Sequence, residues 1–264
     1  MQRQISAELA LTAAGPARMV LSIAAHSSAQ TADEHLSVTL DGAELPVTEI
    51  VDVYGARLHL VAVIEGDVQV SYRATVVGTA EPLKVSPLDE IVFLRPSRYA
   101  ESDSLGPTAA REFGGLTETE LLFGVSSWVG QHLQYVPGSS LPTDGAVRTL
   151  LSRQGVCRDY AHLVVGLLRS MNVPARLVSV YAPGLDPMDF HAVAEAVIDG
   201  EWRVVDATAL APRSSLVRIA SGRDASDTAF LTTHGTGVTL HDVEVSAVVD
   251  ELPGDDLTQL VSLG

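Results

Sequence analysis

Short apolar and β-branched runs recur through the first 85 residues, with turn sequences such as Asp41-Gly42 and Tyr54-Gly55 between them. Several short strands at near-regular spacing are typical of a β-sandwich. We therefore predict an N-terminal β-sandwich domain over residues 1–85. The six predicted strands are 5–11, 19–25, 36–40, 47–53, 58–64 and 68–77.

The pattern changes after residue 85, which marks the predicted start of a second, catalytic domain over residues 86–264. Residues 86–120 are rich in proline and glycine and read as loop. Apolar positions at helical spacing follow, and strand-like runs come later in the chain. Helices are predicted over 117–133, 144–153, from Cys157 to about 170, and in the tail from Asp255; strands over 175–181, 190–198, 202–207 and 238–249.

Composition describes a globular protein with an acidic surface. Hydrophobic residues make up 46% and charged residues 19% of the chain, and 33 acidic against 17 basic residues give a net charge of −16. Nucleic acids and anionic membranes attract positive charge, so neither is an expected partner. The sequence has no apolar run long enough to cross a membrane, and its start does not resemble a signal peptide, so we expect a cytoplasmic protein.

Cys157 is the only cysteine in the chain. It follows a glycine-containing break and begins an apolar helical pattern, which puts the sulfur at a helix start. Free amide N–H groups and the positive end of the helix dipole gather there and favour a negatively charged sulfur. A lone cysteine is more often a small buried apolar residue, so Cys157 alone does not establish catalysis.

Asp199-Gly200 lies between two alternating runs and predicts a two-residue hairpin. With Ile198 paired to Glu201, Asp206 falls diagonally opposite His191 on the same face, within reach of a hydrogen bond. A one-residue slip would move Asp206 to the other face.

Cys157, His191 and Asp206 then form the nucleophile, base and orienting group of a thiol acyl-transfer site. The amide N–H of Cys157 is the expected oxyanion donor. Taken singly, His191 and Asp206 each have a structural explanation, as a hydrogen-bonded strand histidine and a turn residue.

Several segments of the chain resemble the bacterial transglutaminase-like superfamily, a branch of the papain-like thiol enzymes. The segment around Cys157 resembles the family's nucleophile segment, and the one after it resembles its RxxGxPAR sequence with Asn172 where glycine is commoner. Val193 stands where many relatives have tryptophan, which leaves substrate choice open. The resembling segments are 96–99, 135–139, 155–163, 169–176, 189–192 and 202–208.

The resemblance implies an α+β fold in which the helix carrying Cys157 packs on an antiparallel sheet, preceded by the β-sandwich. It also implies Cys157 as nucleophile, His191 as base and Asp206 as orienting group.

Other polar residues receive structural interpretations. We expect His162 to point away from Cys157, Arg158 and Asp159 to brace the helix start or lie at the surface, and Gln154 to cap or face solvent unless it is a second oxyanion donor. No spacing predicts a calcium or zinc site, and no glycine motif predicts a phosphate site, so no cofactor or metal is expected.

The sequence predicts an enzyme that attacks amide bonds of peptides or proteins through a Cys157 thioester. Hydrolysis by a peptidase or amidase is favoured because water is always present. Transfer to an amine, as in a protein-glutamine transglutaminase, and a non-catalytic binding module on the same scaffold stay open. A redox-sensing thiol lacks a second cysteine as an internal partner. The oligomeric state and substrate stay undetermined.

Overall fold

A computed structural model describes residues 1–264. Residues 1–86 form strands joined by turns and loops, with no helix. Alternation of buried and more exposed side chains along the two longest of these strands, Gln2–Ala13 and Gly66–Val77, buries one face of each, as period-two patterning requires. The strands are β1 (Gln2–Ala13), β2 (Ala17–Leu21), β3 (Thr31–Leu40), β4 (Ala43–Glu44), β5 (Thr48–Val51), β6 (Arg57–Val63) and β7 (Gly66–Val77).

These strands form two antiparallel sheets that share one apolar core, so the predicted sandwich is present. One sheet has the order β15-β1-β7-β3-β4 and the other β14-β2-β6-β5. Side chains from both sheets, among them Leu9 of β1 and Met19 of β2, meet in a cluster of 25 buried residues. The two late strands are β14 (Leu231–Gly235) and β15 (Val238–Val249).

The late strands change how the chain divides. β15 pairs with β1 along almost its whole length, and β14 pairs with β2. Residues 231–249 therefore belong to the sandwich, whereas the sequence places them in the second domain. The pattern over 238–249 predicts a strand but does not say which sheet it joins, and β14 is not predicted from the sequence.

Between β7 and β14 the chain forms helices, a third antiparallel sheet and a short parallel strand pair. The helices are α1 (Pro87–Val92), α2 (Ser102–Phe113), α3 (Glu118–His132), α4 (Ala146–Ser152) and α5 (Cys157–Ser170). The remaining strands are β8 (Gln134–Tyr135), β9 (Gln154–Gly155), β10 (Ala175–Tyr181), β11 (Phe190–Ile198), β12 (Glu201–Val205) and β13 (Val217–Gly222).

Helix α5 is the central element, and nearly all of its residues are buried. It packs with α2, α3 and α4 on its flanks and with Ala194 and Ala196 of the sheet in a cluster of 21 buried residues. The sheet has the order β12-β11-β10-β13. This is the α+β core that the sequence predicts: a cysteine-bearing helix on an antiparallel sheet.

A buried charge network holds this sheet together. Glu195 accepts hydrogen bonds from Arg176 at 2.8 Å and from Arg218 at 2.8 and 2.6 Å, and all three side chains are almost fully buried. The guanidinium of Arg176 also lies 3.9 Å from the centre of the Trp202 ring. The two arginines outweigh burial, which alone would raise the pKa of Glu195, and lower it to about 2.

Two predictions of secondary structure were wrong. Residues 86–120 contain α1 and α2 rather than loop alone, and Pro107 lies inside α2. The buried positions Leu105, Ala109 and Phe113 follow helical spacing, so the apolar pattern outweighs the helix-breaking residues there. The tail from Asp255 forms turns and no helix. Asp255 instead accepts hydrogen bonds from Arg213 at 2.9–3.2 Å.

Candidate active site

Cys157 is the first residue of α5 and is partly buried. The short parallel pairing of β8 with β9 sets the chain immediately before it. The carboxylate of Asp159 accepts a hydrogen bond from the Val156 N–H at 2.9 Å and another from the Ser140 hydroxyl at 2.9 Å. These bonds fix the first turn of the helix, as a capping carboxylate does at a helix start.

Gly155 allows this close packing. A side-chain Cβ at this position would lie 2.6 Å from the Cβ of Asp159, which is closer than real contacts allow. The residue two positions before the sulfur therefore has to be glycine for Asp159 to cap the helix.

His191 and Asp206 meet at one end of the sheet, in the register that the sequence predicts. The hairpin pairs Ile198 with Glu201 through Asp199 and Gly200, which both have the positive φ angles that such a turn requires. The ladder ends at Ala194 and Val205. Asp206 follows Val205 directly and His191 lies three positions before Ala194, and the Nε2 of His191 is 3.0 Å from the Oδ2 of Asp206.

The other oxygen of Asp206 is also occupied. Its Oδ1 accepts hydrogen bonds from the Thr208 N–H at 2.9 Å and the Thr208 hydroxyl at 2.6 Å. Both side chains of the His191–Asp206 pair are at most 1% exposed. The carboxylate is thus held by both oxygens and orients the imidazole, because Nε2 is committed to Oδ2.

Charge pairing dominates the titration of the two groups. Burial by itself would lower the pKa of His191, but the charge and hydrogen bond of Asp206, with a smaller contribution from Cys157, raise it to about 10. Burial would raise the pKa of Asp206, and His191 and Thr208 outweigh this and lower it. The pair is therefore an imidazolium and a carboxylate at neutral pH.

The sulfur of Cys157 lies beside the His191 ring. Nδ1 is buried and makes no hydrogen bond with the rest of the chain, while Nε2 is taken by Asp206. Cys157 and His191 line the same cavity, and the charge of Cys157 helps to raise the pKa of the ring. Nδ1 is consequently the ring nitrogen available to exchange a proton with the sulfur.

Tyr135 is a neighbour of Cys157 that the search for chemistry in the sequence did not single out. Strand β8 places it opposite Gly155, and its ring packs 5.9 Å from that of Tyr160 on α5. Burial, followed by the charge of Cys157, raises the pKa of Tyr135 to about 12, so its hydroxyl is neutral at neutral pH. A neutral hydroxyl is therefore available on the residue that pairs with Gly155, close to the start of α5. Its only sequence signal is its place in the 135–139 segment.

The other residues considered in the sequence have structural positions. His162 is fully buried; its Nε2 accepts a hydrogen bond from the Ala225 N–H at 3.1 Å and its ring stacks on Tyr99. Gln154 is exposed. Val193 belongs to a buried apolar cluster that also contains Val178, and it does not line the cavity next to Cys157.

Arg158 braces the loop before the helix by donating to the Ser140 hydroxyl at 2.6 Å and the Leu141 carbonyl at 2.7 Å. Asp159, by contrast with the surface position allowed by the sequence, is almost fully buried.

No three or more histidine, cysteine, aspartate or glutamate side chains converge as a metal site would require. None of the α-helices has the length and apolar character needed to cross a membrane.

Comparison with known proteins identifies the family of this chain. The sequence profile of the transglutaminase-like superfamily matches residues 107–207, the segment that contains Tyr135, Cys157, His191 and Asp206. A crystal structure of a candidate cysteine protease from Cytophaga hutchinsonii superposes with a TM-score of 0.89 at 31% identity, covering 100% of this chain and 98% of that one. The chain belongs to the transglutaminase-like superfamily.

Two further proteins are less similar to this chain in sequence. The periplasmic domain of TgpA from Pseudomonas aeruginosa has a TM-score of 0.42 and 18% identity over 76% of this chain and 91% of its own. An uncharacterized protein of Mycobacterium leprae is 26% identical over 173 residues, which are 62% of this chain and 61% of that protein. The chain thus spans about three fifths of the length of that relative.

Proposed function

We propose that this member of the transglutaminase-like superfamily is a thiol-dependent hydrolase that cleaves amide bonds of peptides or proteins through a Cys157 thioester. The buried 3.0 Å hydrogen bond between His191 and Asp206, next to a sulfur at a helix start, carries the proposal. Nucleophile, base and orienting group are the three parts that such chemistry requires.

The first step forms the thioester. The Cys157 sulfur attacks the amide carbonyl carbon, and the thiol proton resides on Nδ1 of His191. The carbonyl oxygen becomes an oxyanion, for which we assign the Cys157 N–H and the Tyr135 hydroxyl as hydrogen-bond donors. Collapse of this intermediate breaks the C–N bond, and the leaving amine takes the proton from His191.

The second step returns the enzyme to its starting state. Water attacks the thioester carbon and gives a proton to Nδ1 of His191, the C–S bond breaks, and the carboxylic acid leaves, which restores the Cys157 thiolate beside the protonated His191. Asp206 keeps Nε2 protonated throughout, so Nδ1 alone accepts and returns the proton. Attack by an amine in place of water would give amide transfer by the same route.

Alkylation of Cys157 tests the nucleophile and base without a known substrate. Because the chain has one cysteine, iodoacetamide labelling followed by intact mass reports on that sulfur alone. We expect fast labelling of the wild type at neutral pH and slower labelling of His191→Ala. The exposed His35→Ala is the matched control and should label like the wild type. Labelling of the wild type at the rate of a free thiol would overturn the proposal.

A peptide library identifies the reaction. Purified protein is incubated with the library with and without a primary amine, and the products are weighed by mass spectrometry. New carboxyl ends that depend on Cys157 support hydrolysis, whereas amine incorporation would assign the acyl acceptor to an amine instead.

A further inference from the structure

A cavity of about 480 Å³ opens beside Cys157 and His191. This volume falls in the range of about 300–1,000 Å³ that is usual for ligand sites. We call it the sandwich pocket, because both halves of the protein build it. Leu177, Ser179 and Ile219 come from the catalytic sheet, and Ser22 and Leu231 come from the β2 and β14 side of the sandwich.

Hydrogen bonds order the region where the two walls meet. The Ser22 N–H donates to the Phe230 carbonyl at 2.9 Å, which joins the end of β2 to the start of β14. The Tyr181 hydroxyl donates to the Ile23 carbonyl at 2.7 Å, which joins the sandwich to β10. Ser22 and Ser179 are therefore near this junction, each within two residues of one of the bonded groups.

The side chains of the pocket are mostly apolar and partly aromatic. Phe190 and Phe230 stack with their ring centres 5.1 Å apart. Apart from Tyr99, the ionisable residues of the lining are Cys157, Arg158, Asp189 and His191, which all lie within two positions of the reacting groups in sequence. A neutral side chain that presents a flat apolar face fits this lining better than a charged one.

Among the hydroxyl groups of the lining, two are buried and unpaired. The Oγ atoms of Ser22 and Ser179 are both buried, and neither has a hydrogen-bond partner in the protein. Ser22 is only 2% exposed. A buried hydroxyl is normally paired, so two unpaired ones in the lining of a cavity point to a ligand that supplies the missing partner.

We propose that the sandwich pocket binds a tyrosine side chain of the substrate, on the acyl side of the bond that Cys157 attacks. The ring packs against Phe190 and Phe230, and the phenolic hydroxyl bonds with Ser22 and Ser179. This assignment rests on the proposed function and adds a role for the N-terminal sandwich: it supplies half of the specificity pocket.

Peptidyl chloromethyl ketones with Tyr, Phe, Gln or Ala beside the reactive carbon test the assignment, because each alkylates the single cysteine at a rate that reports on pocket binding. We expect labelling by the Tyr probe to exceed that by the Ala probe by about 100-fold and that by the Phe probe by roughly 3- to 10-fold. Ser179→Ala should abolish the preference of Tyr over Phe while leaving the iodoacetamide rate unchanged.

Two controls keep a folding defect and a failed mechanism apart from a failed pocket. Ala229→Phe fills the rim from an exposed position and should slow the Tyr probe without slowing iodoacetamide. Binding of N-acetyltyrosinamide to Cys157→Ala, followed by NMR, needs no chemistry and should exceed that of N-acetylphenylalaninamide.

Equal labelling by the Tyr, Phe and Gln probes, with iodoacetamide labelling still dependent on His191, would overturn the tyrosine assignment and leave the hydrolase proposal standing. Loss of the His191 dependence with selective tyrosinamide binding retained would overturn the hydrolase and leave a tyrosine-binding pocket. Loss of both would overturn both.

Discussion

Replacing Asp206 with asparagine removes one of two acceptor oxygens that the site uses. In the wild type, Oδ2 faces Nε2 of His191 and Oδ1 accepts both bonds from Thr208. Asparagine has one carbonyl oxygen and one NH₂ group. If its oxygen stays with Thr208, the NH₂ group faces Nε2, which must then be unprotonated, and the ring proton moves to Nδ1 on the side of the sulfur. His191 can no longer accept the thiol proton there.

The size of the effect follows from the titration of His191. Asp206 raises the pKa of His191 to about 10 against the lowering effect of burial. Without the carboxylate only burial remains, so the pKa should fall below its ordinary value of about 6.5. At about 1.36 kcal/mol per pKa unit, the lost preference for the charged ring is roughly 5 kcal/mol. Turnover should drop by orders of magnitude, by analogy with the serine triad.

Histidine NMR measures this change directly. The His191 ring should titrate at about pH 10 in the wild type and below pH 6.5 in Asp206→Asn, and Asp103→Asn on the surface of α2 should leave it unchanged. Because the native ring keeps a proton that the unfolded ring loses above about pH 6.5, the free energy of unfolding should fall as the pH rises from about 6.5 to 10. Asp206→Asn should lack that slope. A wild-type His191 that titrates near 6.5 would refute the reasoning.

Three other substitutions give separate tests. Tyr135→Phe removes the proposed oxyanion donor, so it should lower kcat for an amide substrate by about 10²-fold. The iodoacetamide reaction involves no oxyanion, so its rate should stay unchanged. Equal activity of the variant and the wild type would exclude that role. Glu195→Gln leaves two arginines buried without their counter-charge and should lower the unfolding free energy by about 3–5 kcal/mol in urea titrations, against under 1 kcal/mol for the exposed Glu112→Gln. Burial lowers the pKa of His162 to about 3, so its contribution to stability is lost as the pH falls from 6.5 towards 3. In His162→Phe the free energy of unfolding should therefore fall less steeply over this acidic range. An unchanged pH dependence in the variant would contradict this.

The sequence predicted the local geometry of the site because that geometry depends on two short-range features. A two-residue turn sets the hairpin register, and the register sets which side chains are diagonal neighbours. The observed pairing of Ile198 with Glu201 confirms the register. The helix start at Cys157 followed from the apolar pattern alone.

Long-range placement was beyond the sequence for equally physical reasons. Tyr135 reaches Cys157 through a two-residue parallel pairing, which leaves no periodic pattern to detect. The helix α2 was hidden by Gly106 and Pro107, whose low helix propensity is overridden by packing against α5. The strand over 238–249 has the correct pattern, but nothing in a pattern specifies a partner 200 or more positions away.

The return of β15 to β1 makes the catalytic half an insertion between strands of the sandwich. Truncation at residue 85 would leave twelve-residue β1 as an open sheet edge, a template for intermolecular pairing. Removing the inserted segment that carries Cys157 requires two cuts. Separating that segment from the sandwich also separates the two walls of the cavity beside the sulfur. Swapping the sandwich for that of a relative, with both ends exchanged together, is therefore the natural way to transplant substrate preference while leaving the reacting groups in place.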